Sequence, residues 1–289
     1  HEWVDGKLNV KHCNAMKVKA VPYDIPVIGN GNHIVNTLRL WSAEPVADYD
    51  GDAFEYQAKL SEISSLLYPN DSTEEGKELR LKQQYFFSAA GIRAICKRHK
   101  AHYGTLANLA EKCVFQINDT HPTLIIPELM RILVDEEGFA WEDAWNIVKN
   151  CCAYTNHTIL SEALEKWSVP LFARLLPRIY TIVEEINRRL IIEIEEKCGQ
   201  GCYEAYQMAV VKDNLVHMAN LAIAGSYSVN GVAALHTEIL KNIEMKVFHE
   251  YYPGKFNNKT NGITHRRWCY HTNPELVEIL NEYCGEEWV

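Results

Sequence analysis

The chain has 289 residues, 47% hydrophobic and 23% charged, an ordinary globular composition with apolar material for one large core or two small ones. A formal net charge of −9 and a pI near 5.8 argue against a polyanion partner, so a neutral substrate is expected and nucleic acid is not. No stretch approaches the run of about twenty apolar residues that spans a bilayer, and the opening HEWVDGKLNVKHC lacks a signal peptide's apolar heart, so no membrane partner and a cytoplasmic location are expected.

Residues 13 to 45 alternate short apolar runs with Pro and Gly, which predicts strands and turns. Residues 81 to 100 set Tyr85, Phe86, Ala89, Ile92, Ile95 and Cys96 at helical spacing and end in cations, which predicts a helix with one face on the core. Pro127 stands where a first helical turn tolerates it, Gly138 closes that segment, and a second helix is expected from Trp141 to about Val148. The stripe Leu171, Leu175, Ile179, Ile182, Ile186, Leu190 predicts a long helix or a pair bent at Pro177. Asp213 is read as the cap of a helix through Ala224, a further helix covers Val232 to Leu240, and Asn273-Pro274 opens a last one that Gly285 ends.

Two apolar runs, Cys113 to Ile117 and Cys151 to Tyr154, read as buried strands, each followed by a polar loop and then a helix. That order implies α/β layers with parallel pairing, in which ligands bind beyond the carboxyl ends of strands. The first loop, Asn118-Asp119-Thr120-His121-Pro122, offers a carboxylate and an imidazole that can orient sugar hydroxyls, or else an Asx-type turn that caps the next helix. The second, Tyr154-Thr155-Asn156-His157-Thr158, precedes SEALEKW, where Glu162 and Glu165 fit an early helical turn. A third polar run from Tyr68 to Lys77 is either a gate over a site or a solvated connection. Arg266 and Arg267 follow a glycine turn; a short basic doublet more often makes ion pairs than it holds an anion.

Nine cysteines, an odd number, show neither a disulfide framework nor paired metal-site spacing, so reduced and mostly buried thiols and no metal are expected. The chain opens on His1 within what reads as ongoing structure and stops just after a helix, which predicts a fragment.

The blocks NDTHPTLIIPELMRIL, YTNHTILSEALEKW, YPNDSTEEGKELRLKQQY and KTNGITHRRW, with VPYDIPVIG, VNTLRLWSAEP and VNGVAALHTEIL, resemble the α-glucan (glycogen/maltodextrin) phosphorylases of bacterial type, over essentially the whole chain. The resemblance implies a partial GT-B-type α/β fold, mostly helical with a parallel-rich sheet. Residues 1–260 would be the second part of an N-terminal glucosyl-binding lobe, and residues 261–289 the interlobe junction and start of the C-terminal lobe. It implies reversible phosphorolysis of terminal α-1,4-linked glucose to α-D-glucose 1-phosphate with retention, with glucan and inorganic phosphate as partners and a homodimeric parent. Pyridoxal phosphate is the implied cofactor, its lysine lying downstream of Val289, so that this fragment binds none of it and is inactive alone.

By block alignment Asn261 and the His157 side chain correspond to ligands of the glucose 6-hydroxyl, and the His157 carbonyl faces the anomeric side. Asp119 and His121 match residues beyond the anomeric carbon, so His157 and Asp119 are the catalytic candidates. Asn70 and Asp71 match the start of a gating loop, where Ser72-Thr73-Glu74 replaces the animal Asn-Phe-Phe. The rival readings are a non-catalytic glucan-binding module and a hydrolase pairing Asp119 with Glu162 or Glu165. The lost first part of the lobe predicts bare sheet edges and apolar faces, and hence poor folding of the fragment alone.

Overall fold

The computed structural model describes residues 2–4, 7–29, 31–47 and 53–289. Two antiparallel ribbons lead the chain: β1 (Glu2–Val4) with β2 (Lys7–Asn9), then β3 (Lys19–Ile28) with β4 (Val35–Glu44). The strand and turn expectation for residues 13 to 45 is met. Helix α1 (Ala53–Ser65) lays Tyr56, Leu60 and Ile63 on β4, and the Tyr56 hydroxyl donates to the Lys17 carbonyl at 2.5 Å. With Ala43 and Phe86 these residues form a small second core. The far part of the long ribbon is uncovered: Ile25, Val27, Leu38 and Leu40 are each about half exposed.

The next helix, α2 (Glu74–Tyr103), is longer than its apolar spacing predicts, and it buries two sides rather than one. Phe86 joins the small core, whereas Leu81, Ile92 and Cys96 join the main one. It is a beam between the two cores. Thr73 caps it, its Oγ1 accepting from the Gly76 N–H at 3.1 Å, and Gly104 ends it at φ 77°.

The centre is a four-stranded sheet of β5 (Phe115–Asn118), β6 (Cys152–Thr155), β10 (Ser228–Gly231) and β11 (Phe256–Asn258) in the order β11-β10-β6-β5, every pair parallel. Inner strands of a covered parallel sheet are buried on both faces, and the Cys152, Ala153, Tyr154 run of β6 is fully so. Edge strand β5 alternates instead, Phe115 and Ile117 inward and Gln116 and Asn118 outward.

Helices fill the connections. Short α3 (Leu109–Lys112) leads into β5; α4 (Ile125–Arg131) runs on into a π-type turn over Ile132–Glu136 that Gly138 closes at φ 74°; α5 (Trp141–Cys151) leads into β6. Pro127 lies in the first turn of α4, where amide hydrogens have no helical partner. The expected bend is real: α6 (Val169–Leu175) stops, and α7 (Pro177–Cys198) restarts with proline in its first position and Ile179, Ile182, Val183, Ile186, Leu190 and Ile194 on its buried stripe.

Two helix expectations are corrected. SEALEKW is not a helix: a single 3-10 turn over Ser161–Ala163 is followed by β7 (Lys166–Ser168), whose Trp167 packs opposite Val216. Asp213 is not a helix cap either. After α8 (Tyr203–Met208), Asp213 and Asn214 stand at φ 53° and 59° and join β8 (Val211–Lys212) to β9 (Leu215–His217) in a two-residue hairpin. Antiparallel sheet β7-β9-β8 results, and α9 (Met218–Ala224) starts without side-chain capping.

Helix α10 (Ala234–Ile239) with a π-type turn over Leu240–Glu244, and α11 (Lys246–Tyr251), connect β10 to β11. The chain ends in α12 (His265–Thr272) and α13 (Pro274–Cys284), which pack on each other with Val277 as the buried side chain of the pair. Asn273 caps α13 at 3.1 Å and Gly285 ends it, as expected. All nine cysteines are free. The expectation that most are buried is corrected: Cys96, Cys151 and Cys152 are, whereas Cys13, Cys198 and Cys284 are exposed and the other three intermediate. No helix among the described residues is long and apolar enough to cross a membrane.

Candidate functional site at the carboxyl edge of the sheet

Because all four central strands point the same way, their following loops emerge on one edge, and these carry the residues singled out in the sequence. After β5 the Asp119 N–H donates to the Thr155 carbonyl at 2.9 Å and prolongs the ladder by one residue. Asp119 then turns into the left-handed region, φ 61°, which an aspartate tolerates better than most side chains. Its Oδ1 accepts the Thr120 N–H at 2.6 Å. The bond reaches only the next residue, not the one after it as in an Asx turn, and α4 begins without a side-chain cap, so the Asx-type capping reading is corrected; Asp119 Oδ2 has no hydrogen-bond partner among the described residues.

After β6 the Asn156 N–H donates to the Asn230 carbonyl of β10 at 2.9 Å, and the Asn156 side chain accepts the Thr158 N–H at 3.0 Å while donating to the Tyr154 hydroxyl at 3.0 Å. Burial holds the Tyr154 phenol above its usual range, so it stays protonated. This fully buried tether fixes the backbone on either side of His157. The His157 imidazole is exposed, and its Nε2 lies 2.6 Å from Asn118 Oδ1, so Nε2 carries the proton and Nδ1 is the nitrogen left for another donor.

The third and fourth loops are locked to each other. His236 Nδ1 accepts the Val232 N–H at 3.0 Å, the Thr237 hydroxyl donates to Asn258 Oδ1 at 3.2 Å, and the Asn261 N–H donates to the Val232 carbonyl at 3.1 Å. Gly231 makes this fit possible, since a Cβ there would sit 2.4 Å from Thr237 Oγ1 and 3.0 Å from His236 Nδ1. Asn261 is exposed, and its side chain has no hydrogen-bond partner among the described residues.

His121 belongs to a neighbouring place. With Tyr68, Pro69 and Gln116 it lines an apolar hollow of about 510 Å³ between α2 and the open edge of β5. The segment 68–77, the candidate gate, borders the same hollow and is held firmly. Asn70 Oδ1 accepts from the Ser72 N–H at 3.1 Å and the Ser72 hydroxyl at 2.8 Å, and Asp71 pairs with Arg80 at 2.8 Å. The Asn70 carbonyl presses on Gly76, where a Cβ would come within 1.8 Å of it.

Glu165 ties gate and sheet together. Its carboxylate, 10% exposed, accepts from Gln84 Nε2 at 2.7 Å and the Thr120 hydroxyl at 3.2 Å, and lies 3.3 Å from Arg80 Nε. Asp71, Arg80, Glu165 and Thr120 thus form one polar chain from the gate to the first loop. With three donors on it, Glu165 is a structural acceptor rather than a hydrolytic acid, and Glu162 lies exposed in the 3-10 turn. Sequence reasoning missed Asn118 as the partner of His157, His236 as a loop clamp and Arg80 as the link; only the polar VNGV run after an apolar segment signalled a third loop.

The expected ion pairs of Arg266 and Arg267 are not formed: both guanidinium groups are exposed and unpaired among the described residues. They line a surface hollow of about 520 Å³ with Thr264, His265 and Tyr270.

The family model for carbohydrate phosphorylases matches residues 1–289. The chain is 51% identical over 285 residues to the glycogen phosphorylase of Bacillus subtilis (strain 168), covering 98% of this chain and 36% of that protein. It is 46% identical over 308 residues to the muscle form of glycogen phosphorylase of Bos taurus, covering 100% of this chain and 36% of that protein. To the glycogen phosphorylase of Chlamydia pneumoniae it is 42% identical over 296 residues, covering 98% and 36%. The chain thus spans about a third of the length of the curated relatives it matches. With the family model matching residues 1–289 and identities of 42–51% along nearly the whole chain, this chain belongs to the carbohydrate phosphorylase family.

Proposed function

We propose that this chain is the glucosyl-side wall of an α-glucan phosphorylase, which cleaves a terminal α-1,4-linked glucose of glycogen or maltodextrin with inorganic phosphate and releases α-D-glucose 1-phosphate with retention. The observation that carries this reading is the convergence of Asp119, His157 and Asn261 on the carboxyl edge of one parallel sheet. In it, Nδ1 of His157 and the Asn261 amide bind the 6-hydroxyl of the terminal glucose. An imidazole whose Nε2 faces Asn118 Oδ1 turns Nδ1 in one fixed direction, which suits a hydroxyl. The His157 carbonyl faces the anomeric carbon, where a fixed dipole stabilises positive charge as the glycosidic bond breaks. Asp119 borders the space beyond that carbon, His121 approaches it from the adjoining hollow, and Asn70 and Asp71 stand at the start of the gating loop.

Residues 1–260 belong to the N-terminal lobe and 261–289 to the junction with the next, a division supported by how little α12 and α13 bury against the rest. The parent is a cytoplasmic homodimer.

The family implies pyridoxal phosphate, whose phosphate group supplies the proton exchange with substrate phosphate when bound. The residues of this chain's carboxyl edge do not fit it. Its four loops hold acceptors, imidazoles and one lysine, the exposed Lys259. A buried lysine of depressed basicity, Lys255, precedes β11 at the opposite edge and donates to the Ile223 carbonyl at 2.8 Å. The cofactor therefore belongs to another part of the protein.

The test is phosphate-dependent release of glucose 1-phosphate from maltoheptaose by the full-length protein. Activity that falls by about tenfold or more in His157→Ala, which removes the imidazole that holds the 6-hydroxyl and leaves the backbone carbonyl in place, supports the reading. A folded, cofactor-loaded protein that shows no phosphorolysis overturns it.

A further inference from the structure

At the end of α7 the chain reverses through Cys198-Gly199-Gln200-Gly201-Cys202 before α8 begins. Gly199 and Gly201 stand at φ 101° and 66°, where side chains are disfavoured. The reversal is pinned by the Gly199 N–H on the Glu195 carbonyl at 2.9 Å, and by the Gly201 N–H on Glu195 Oε1 at 2.9 Å. It folds Cys202 back beside Cys198, and Glu204 joins them from α8. The two sulfurs and a carboxylate oxygen lie within 4.8 Å of one another.

We propose that Cys198, Cys202 and Glu204 form a binding site for a divalent cation of the zinc class, with water as the fourth ligand.

Two thiolates and a carboxylate are a zinc donor set, and tetrahedral bonds of about 2.3 Å to sulfur and 2.0–2.2 Å to oxygen set neighbouring donors roughly 3.5–3.8 Å apart. Drawing the donors in from within 4.8 Å to that spacing takes side-chain rotation, which the exposure of Cys198 and the half-burial of Cys202 and Glu204 allow. The ion would sit at the carboxyl end of a 22-residue helix, whose last carbonyls favour positive charge. Glu195 and Glu196 add to that field, while Lys197 is engaged elsewhere, 3.5 Å from Glu193 and over the Tyr251 ring at 4.6 Å. Binding forms two metal–sulfur bonds and releases the two thiol protons to solvent, with no change of oxidation state. In sequence the cysteine spacing lacks a second pair; the third donor becomes visible once the glycine turn is folded.

The experiment uses the full-length protein, reduced with a phosphine and stripped of metal, then titrated with Zn²⁺ against a chromophoric chelator. The wild type should hold one equivalent that the Cys198→Ser/Cys202→Ser variant binds at least about tenfold more weakly, with Glu204→Gln in between. A readout that needs no variant is alkylation followed by peptide mapping: one equivalent of Zn²⁺ should protect Cys198 and Cys202 and leave exposed Cys13 and Cys284 reacting as before. Equal zinc retention by wild type and double variant, or alkylation of Cys198 and Cys202 indifferent to the metal, overturns the site.

Discussion

Glu165→Ala should loosen the 68–77 segment and the first loop together. The carboxylate is 10% exposed and holds the Gln84 amide at 2.7 Å, the Thr120 hydroxyl at 3.2 Å and Arg80 Nε at 3.3 Å. A hydrogen bond to a charged acceptor contributes about 1.5–3 kcal/mol, and the two longer contacts count for less than the Gln84 bond. Arg80 keeps Asp71 at 2.8 Å, which limits its share of the loss. The sum is about 3 kcal/mol of local stability, roughly a 150-fold change in an opening equilibrium. Native-state hydrogen exchange reads this directly. The Thr123 and Asp119 amides, bonded to the Thr120 and Thr155 carbonyls, and the Gly76 amide on Thr73 should all exchange faster by about that factor, and Glu165→Gln by less. Exchange changed less than about threefold at both loops would show that the polar chain carries no coupling.

Gly231→Ala should cost about 1–3 kcal/mol, because its Cβ meets Thr237 and His236 and pushes α10 off the sheet; an unchanged melting temperature would refute that fit. Glu128→Ala strips a carboxylate, 3% exposed, from Arg131 at 2.7 Å and from the Tyr85 hydroxyl at 3.0 Å, and should cost about 3 kcal/mol by urea titration. Arg131 retains Glu136 at 2.8 Å, which keeps the loss near the lower end for a broken buried pair. His217 is pushed down to about 4 by burial and then by the charges of Lys212 and Lys166. The unfolded chain binds that proton near 6.5 and the folded one only near 4, so stability falls as pH drops between those values and levels off below. Melting profiles of wild type and His217→Gln should diverge over that interval, and parallel profiles would remove His217 from the acid response.

Two of the four strands, β5 and β6, were legible because a buried parallel strand is apolar, as Cys152 to Tyr154 is, and because the polar runs after such strands have one edge to go to; β10 and β11, whose runs carry serine and asparagine, were not read as strands. The bend at Pro177 and the last helix followed from proline and glycine chemistry, which acts within a few residues. SEALEKW was misread because local charge favours a helix start there, whereas the structure spends Glu165 on Gln84, 81 residues away, and Trp167 on Val216. Asp213 satisfied a capping pattern, yet strands of two and three residues are too short to show a period, and the Asp213-Asn214 turn signal lay between them. At the candidate site, the residue types were readable and their partners were not. Pairing His157 with Asn118 depends on the register of β5 against β6, which places Asn118 opposite Thr155.

The strand order also sets a timetable. β5 and β6 lie close enough in sequence to meet early, but β10, which flanks β6 on its other side, arrives 75 residues later, as the Thr155 to Asn230 bond marks. Closing so large a loop must precede the contacts that reward it, and parallel pairing between distant strands is slow for that reason. The backbone around His157, anchored by the Asn156 bond to Asn230, gains its final shape only when β10 docks. A newly made chain therefore carries the right side chains well before it carries the finished carboxyl edge, and substitutions in α9 should delay the appearance of that edge more than they alter its finished form.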